Sequence, residues 1–159
     1  MIRLLSSGLA MAVLVALGAA GRAETLTDDE IRTLFTDNSV TGRYLDGQFF
    51  TEFHAADGHA YGENRSIPNT DACWITKPGG VCYYYGPPDR RSLFCFTVEK
   101  SGDAIVLVNA PPNHNAGKIN ALAKIEPGNP RNLSDNGKPW QCDGLISGTS
   151  DPDRFAKLP

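Results

Sequence analysis

His54 and His59 flank an Asp57-Gly58 turn, so a tight hairpin carries two imidazoles and one carboxylate toward its tip. Two His and one carboxylate could suit zinc or copper. No fixed ligand spacing compels that chemistry, and ordinary strand residues beside a turn explain all three. The expectation is therefore no metal, with His54, His59 and Asp57 as the weak candidates. His114 lies in a Pro-Pro-Asn-His-Asn stretch. A catalytic His needs a nucleophile and an orienting acid beside it. No G-x-S-x-G motif occurs, and Ser147-Gly148-Thr149-Ser150 resembles no nucleophile motif. No catalytic residue, enzymatic activity or cofactor is expected. Asp46-Gly47 and Asp57-Gly58 lack the alternating acids of a calcium loop, and turn chemistry explains both.

The aromatic run Tyr83-Tyr84-Tyr85 is the most suggestive feature for binding. In a strand Tyr83 and Tyr85 face one way and Tyr84 the other. Trp74 falls opposite Tyr83 across the intervening turn. Trp74, Tyr83 and Tyr85 are thus either packed core or an aromatic-lined binding surface, since Tyr offers an apolar body with a polar tip.

The N-terminus reads as a cleavable secretory signal, residues 1–23. Arg3 supplies a positive start, residues 9–20 form an apolar run of 12, and Gly21-Arg22-Ala23 sets small residues for cleavage before Glu24. A membrane-spanning helix needs about 20 apolar residues, and this run is too short. Removing 23 of 159 residues leaves one domain of 136, residues 24–159. The signal takes two of the 15 basic residues and none of the 18 acidic ones, so the mature domain carries a net charge of about −5. No basic cluster is present. Nucleic-acid binding and attraction to anionic lipid are disfavoured. No second long apolar run occurs, so no membrane span is expected in the mature form. The expected location is the periplasm or the exterior.

Local signals place these residues mainly on strands. Thr27 and Glu30 form a capping box at the start of a short helix, with Leu26 and Ile31 as its staple. Ile31, Leu34 and Phe35 give that helix one apolar face. Strands follow at residues 40–43, 48–55 and 59–63. Next come residues 73–76, 81–85, 92–99 and 104–109, joined by turns rich in Gly, Pro and Asp. Along residues 48–55, Phe50, Glu52 and His54 share one face, and Phe49, Thr51 and Phe53 the other. Pro111-Pro112-Asn113 breaks the sheet. Residues 118–126 fit both strand alternation and a helix turn; close bounding by Gly117 and Pro127-Gly128 favours the strand. Pro130 is able to open a helical turn at residues 131–133. From about residue 134 the chain reads as a loop-rich tail. The fold expected is mainly β: a small antiparallel meander, barrel or sandwich, with a short N-terminal helix and disulfides.

Four cysteines in an exported domain favour disulfides over metal ligation. Centring the turn after Tyr85 between residues 88 and 89 sets Cys82 opposite Cys95, close enough to bridge if the pair is non-hydrogen-bonded. Cys73 and Cys142 then pair by remainder and clamp the tail on the sheet. A one-residue register slip would break this scheme, so the other connectivities stay open.

The opening helix and strand (residues 26–42), the Asp57-Gly58 hairpin with Gly62, the hairpin of residues 74–82, Cys95 and Gly128-Asn129-Pro130 together resemble a group of small exported proteobacterial proteins labelled DUF995. Cys73 and Cys142 are additions to that pattern. The resemblance implies no activity and transfers no functional residue. The function expected is a non-enzymatic binding or interaction module with an unidentified protein or small-molecule partner in the cell envelope. One alternative is an inhibitor of a basic enzyme such as lysozyme, on likeness of architecture and an acidic surface. Another is a lipocalin-like carrier of an apolar ligand, which requires a cavity inside a barrel. N-terminal sequencing of the exported protein should begin at Glu24; an intact Met1 in that material contradicts cleavage.

Overall fold

The computed structural model describes residues 23–86, 90–135 and 142. The expected signal segment lies almost wholly outside them, as do residues 147–150.

Strand β1 (Glu24–Thr25) leads into helix α1 (Asp28–Phe35). The helix starts where its capping box dictates: the Thr27 N–H donates to Glu30 Oε2 at 2.9 Å, and the Glu30 N–H donates to Thr27 Oγ1 at 3.3 Å. Eight strands then run up and down: β2 (Asn38–Tyr44), β3 (Phe49–His54), β4 (His59–Asn64), β5 (Ile67–Lys77), β6 (Gly80–Tyr85), β7 (Ser92–Ser101), β8 (Ala104–Ala110) and β9 (Ile119–Pro127). Each pairs antiparallel with the next. The last pairs back with the first, from Asn38 opposite Pro127 to Tyr44 opposite Ala121. That ladder closes a barrel and decides between the two expected β architectures. Strand β1 adds onto β7 beyond the end of β6, with Thr25 opposite Glu99.

Alternation sorts the side chains. Val40, Phe50, Glu52, His54, Ala60, Ala72, Trp74, Tyr83, Val98, Leu107 and Ala123 are buried, and nearly all belong to one continuous core. Helix α1 packs against β2, β5 and β6 and closes one end. Its Ile31 and Phe35 are fully buried, with the Phe35 ring 4.9 Å from His54. Trp74 stacks edge-on to His54 at 5.1 Å, and its indole N–H donates to the Ala55 carbonyl at 3.0 Å. The helix end of the barrel is therefore solid. Small residues line much of the rest: Gly42, Ala60, Gly62, Ala121 and Ala123. A Cβ on Gly42 would sit 2.2 Å from the Leu122 carbonyl oxygen, and one on Gly62 would sit 2.5 Å from that of Thr51. These strands approach so closely that only glycine fits.

The outer wall carries a second cluster: Cys73, Ile75, Cys82, Tyr84, Cys95, Ala110 and Cys142. Cys82 stands opposite Cys95 in register and bridges to it, Cα–Cα 4.1 Å. Cys73 bridges to Cys142, Cα–Cα 5.5 Å, and fixes that residue on the barrel wall.

Two local expectations need correcting, and the strand favoured near residues 118–126 is present. Strand β5 begins at Ile67, six residues before the expected start, because residues 67–72 pair with β4 across an irregularity between Ala60 and Gly62. Pro68 is tolerated there. Pro130 opens a turn and no helix; the Leu133 N–H donates to Asn129 Oδ1 at 2.9 Å instead. Residues 119–127 are strand, since their register with β2 and β8 completes the closure.

The two bridges close loops of different length, with sequence separations of 69 and 13. Chain entropy makes the longer one the stronger staple. Replacing Cys73 and Cys142 by Ala should cost roughly 4 kcal/mol, and Cys82 with Cys95 roughly 3. Denaturant unfolding checks this; a larger loss at the shorter loop contradicts it.

Candidate functional site

The end of the barrel opposite α1 is open. It is ringed by the turns at residues 45–48, 65–66 and 111–118 and by the start of β7. Inside lies a cavity of about 770 Å³. Its walls include Tyr44, Phe50, Tyr83, Tyr85, Phe94 and Phe96. Leu107 adds an aliphatic side, and Asn64, Asn109, Asn113 and Asn120 add amides near the mouth. The small residues of β2, β4 and β9 leave this space unfilled, whereas His54, Trp74 and Phe35 fill the other end.

Glu52 reaches the cavity from β3 although only 4% exposed. Its Oε1 accepts a hydrogen bond from Asn69 Nδ2 at 2.7 Å and one from the Tyr85 hydroxyl at 3.3 Å. Its cross-strand partner is Gly62, and a side chain there would press on Glu52 Cγ at 3.2 Å. Gly62 thus leaves room for the carboxyl. Burial pushes Glu52 up to about 7; the bonds from Tyr85 and Asn69 offset only part of that. Tyr44, whose hydroxyl donates to Asn64 Oδ1 at 2.9 Å, is raised to about 12 by burial and then by the charge of Glu52. Tyr83 and Tyr85 are raised well above 10 for the same reasons. The three hydroxyls are therefore neutral hydrogen-bonding groups at ordinary pH.

The cation Arg65 sits at the mouth. Arg65 pairs with Asp46 and lays its guanidinium over the Tyr44 ring, 4.6 Å from the centroid. The loop of residues 111–118 is pinned across the rim by Asn113. Its side chain accepts from the Cys95 N–H at 2.9 Å and donates to the Cys95 carbonyl at 2.7 Å, extending the ladder with an amide.

The structure divides the residues singled out from sequence. Tyr83 and Tyr85 line the cavity. Trp74 does not: it stands opposite Tyr83 but is fully buried in the closed end, so it presents no surface. His54 and His59 are separated by the barrel wall. His54 faces inward, its Nε2 2.7 Å from the Tyr83 hydroxyl. His59 pairs with Asp57 on the outside, Nδ1 to Oδ1 2.9 Å, and stacks on Tyr61. Of the three weak metal candidates, His59 meets Asp57 but His54 does not join them, because strand alternation sends odd and even positions to opposite faces. No group of three metal-ligating side chains occurs among the described residues. His114 is exposed beside the mouth. Glu52, Tyr44 and Asn69 went unassigned. The available signal was Phe50-x-Glu52-x-His54, an acid alternating with large inward residues.

Among the described residues no helix is long and apolar enough to cross a membrane. No family model, curated protein or solved structure matches the chain.

His54 is the counterpart of Glu52 in energetic terms. Burial drives it down to about 3, with backbone contacts to Asn38 and Glu52 offsetting part of that shift. Both groups are neutral in the folded barrel between their ordinary values of 4.5 and 6.5. A raised Glu52 contributes stability that is present below its unfolded value and lost as pH climbs through about 7. A depressed His54 contributes stability that is present above its unfolded value and lost as pH falls toward about 3. Between 4.5 and 6.5 the two slopes cancel. Glu52→Gln should therefore unmask, relative to the wild type, a stability rising with pH by up to about 1.4 kcal/mol per unit in that window. Urea unfolding at stepped pH checks this; parallel wild-type and variant curves contradict it.

Proposed function

We propose that this protein is an exported, non-catalytic binding protein that holds a small organic molecule inside its barrel. The observation that carries this reading is the cavity of about 770 Å³ open at one end of an otherwise packed barrel. Small-molecule sites are concave, mostly apolar, and carry a few placed polar groups. The cavity has aromatic walls with Glu52, Tyr44 and Tyr85 as polar points. Of the functions the sequence allows, a carrier is the one that requires such a space.

The rim supports the same reading. Leu45 and Ile67 are each 68% exposed, and Phe94 and Ile119 about half. All four lie at strand ends on the open side, where an apolar ligand enters. The two disulfides fit an oxidising compartment outside the cytosol. They also suit a barrel that must keep an unfilled interior without collapsing, since the wall from β5 to β7 is stapled from outside.

N-phenyl-1-naphthylamine, a neutral apolar fluorophore, should brighten and saturate at one molecule per barrel. Leu107→Trp, which projects into the cavity, should abolish that signal, and Leu122→Trp on the outer wall should leave it intact. Absence of binding at micromolar protein, or equal binding by Leu107→Trp, overturns the proposal.

A further inference from the structure

Glu52 is a buried acid with half of its carboxylate uncommitted. Asn69 and the nearer arm of Tyr85 both engage Oε1, while among the described residues Oε2 has only the far arm of Tyr85 at 3.5 Å. That distance is at the limit of a hydrogen bond. Arg65, which lines the cavity, is engaged by Asp46 and by the face of Tyr44. A buried carboxylate without a cation is costly, and a cation brought in from outside removes that cost.

The walls around it suit such a guest. Tyr44 and Phe50 lie 5.0 Å apart between centroids, Tyr83 and Phe96 6.1 Å, and Tyr85 and Phe94 5.8 Å. These rings line the same cavity as Glu52, and the Tyr85 hydroxyl reaches its carboxyl. Aromatic faces attract ammonium groups, more strongly where water is excluded. A carboxylate meeting an ammonium in a dry pocket forms a short, charge-assisted hydrogen bond. An anionic ligand would face Glu52 itself, and a neutral one would bring no counter-charge.

We propose that the cavity selects an organic monocation, an amine on an apolar body, with Glu52 as its fixed counter-charge and the tyrosine and phenylalanine rings as its walls. This rests on the cavity being a ligand site, as proposed above.

Three probes of matched shape separate the possibilities: 2-(1-naphthyl)ethylammonium, 2-(1-naphthyl)ethanol and 1-naphthylacetate, each competing against N-phenyl-1-naphthylamine. On the wild-type protein the ammonium should bind at least about tenfold tighter than the alcohol, with the acetate weakest. In Glu52→Gln, close to isosteric, the ammonium and alcohol affinities should converge. Equal ammonium and alcohol affinities on the wild type overturn the cation proposal and leave the cavity reading standing. So does an ammonium preference that survives in Glu52→Gln. Tightest binding of the acetate also overturns it and points to Arg65 as the anchor. Failure of every probe, the fluorophore included, overturns both readings. The wild-type comparison decides the matter alone if the variant does not fold.

Discussion

The ladder between β2 and β9 is the constraint on which everything else depends. Seven register pairs run from Asn38 with Pro127 to Tyr44 with Ala121, and they join the two ends of the meander. Without them the sheet would have two open edges and no inside. With them, alternation becomes a partition: one side of every strand faces a shared interior, and the other faces water or the outer cysteine cluster. The interior is then filled unevenly. Helix α1 and the large side chains Phe35, His54 and Trp74 pack one end, while Gly42, Gly62, Ala121 and Ala123 leave the other hollow. The cavity is a product of that uneven filling, and Glu52 is exposed to it because Gly62 opposite has no side chain.

Polar groups inside a barrel must be satisfied, and the pattern here is informative. Tyr44 bonds Asn64, and His54 meets the Tyr83 hydroxyl. His54 Nδ1 has no hydrogen-bond partner among the described residues. At Glu52 an amide and a phenol occupy one oxygen, and the other has the Tyr85 hydroxyl at 3.5 Å. Its carboxyl is held up to about 7 by burial, so the barrel stores a desolvation cost at one point. The proposed ligand relieves it.

Much of the architecture was legible. Thr27 with Glu30 marks the helix start, Asp57-Gly58 marks a hairpin, and the turn after Tyr85 sets Cys82 opposite Cys95. The faces of Tyr83 and Tyr85 followed from alternation alone. What could not be read was which face of β3 is inside. Phe49, Thr51 and Phe53 are more apolar than Phe50, Glu52 and His54, so composition argues for the wrong face. Only the closure of the barrel, set by residues far apart in sequence, turns Glu52 inward. The start of β5 was hidden for a similar reason: Pro68 and Asn69 look like loop, yet they pair with β4, and Asn69 is placed to hold Glu52. The site was obscured because its chemistry consists of residues that break the local pattern.

The proposed binding depends on a buried carboxyl, Glu52, lining a cavity that is open at one end. The side-chain carboxyl ¹³C shift of Glu52, followed by NMR through a pH titration, tests this most directly. The structure predicts a midpoint near 7 in the free protein, falling when 2-(1-naphthyl)ethylammonium is added. A midpoint at the ordinary 4.5 of a solvated glutamate, unmoved by the amine, would contradict it.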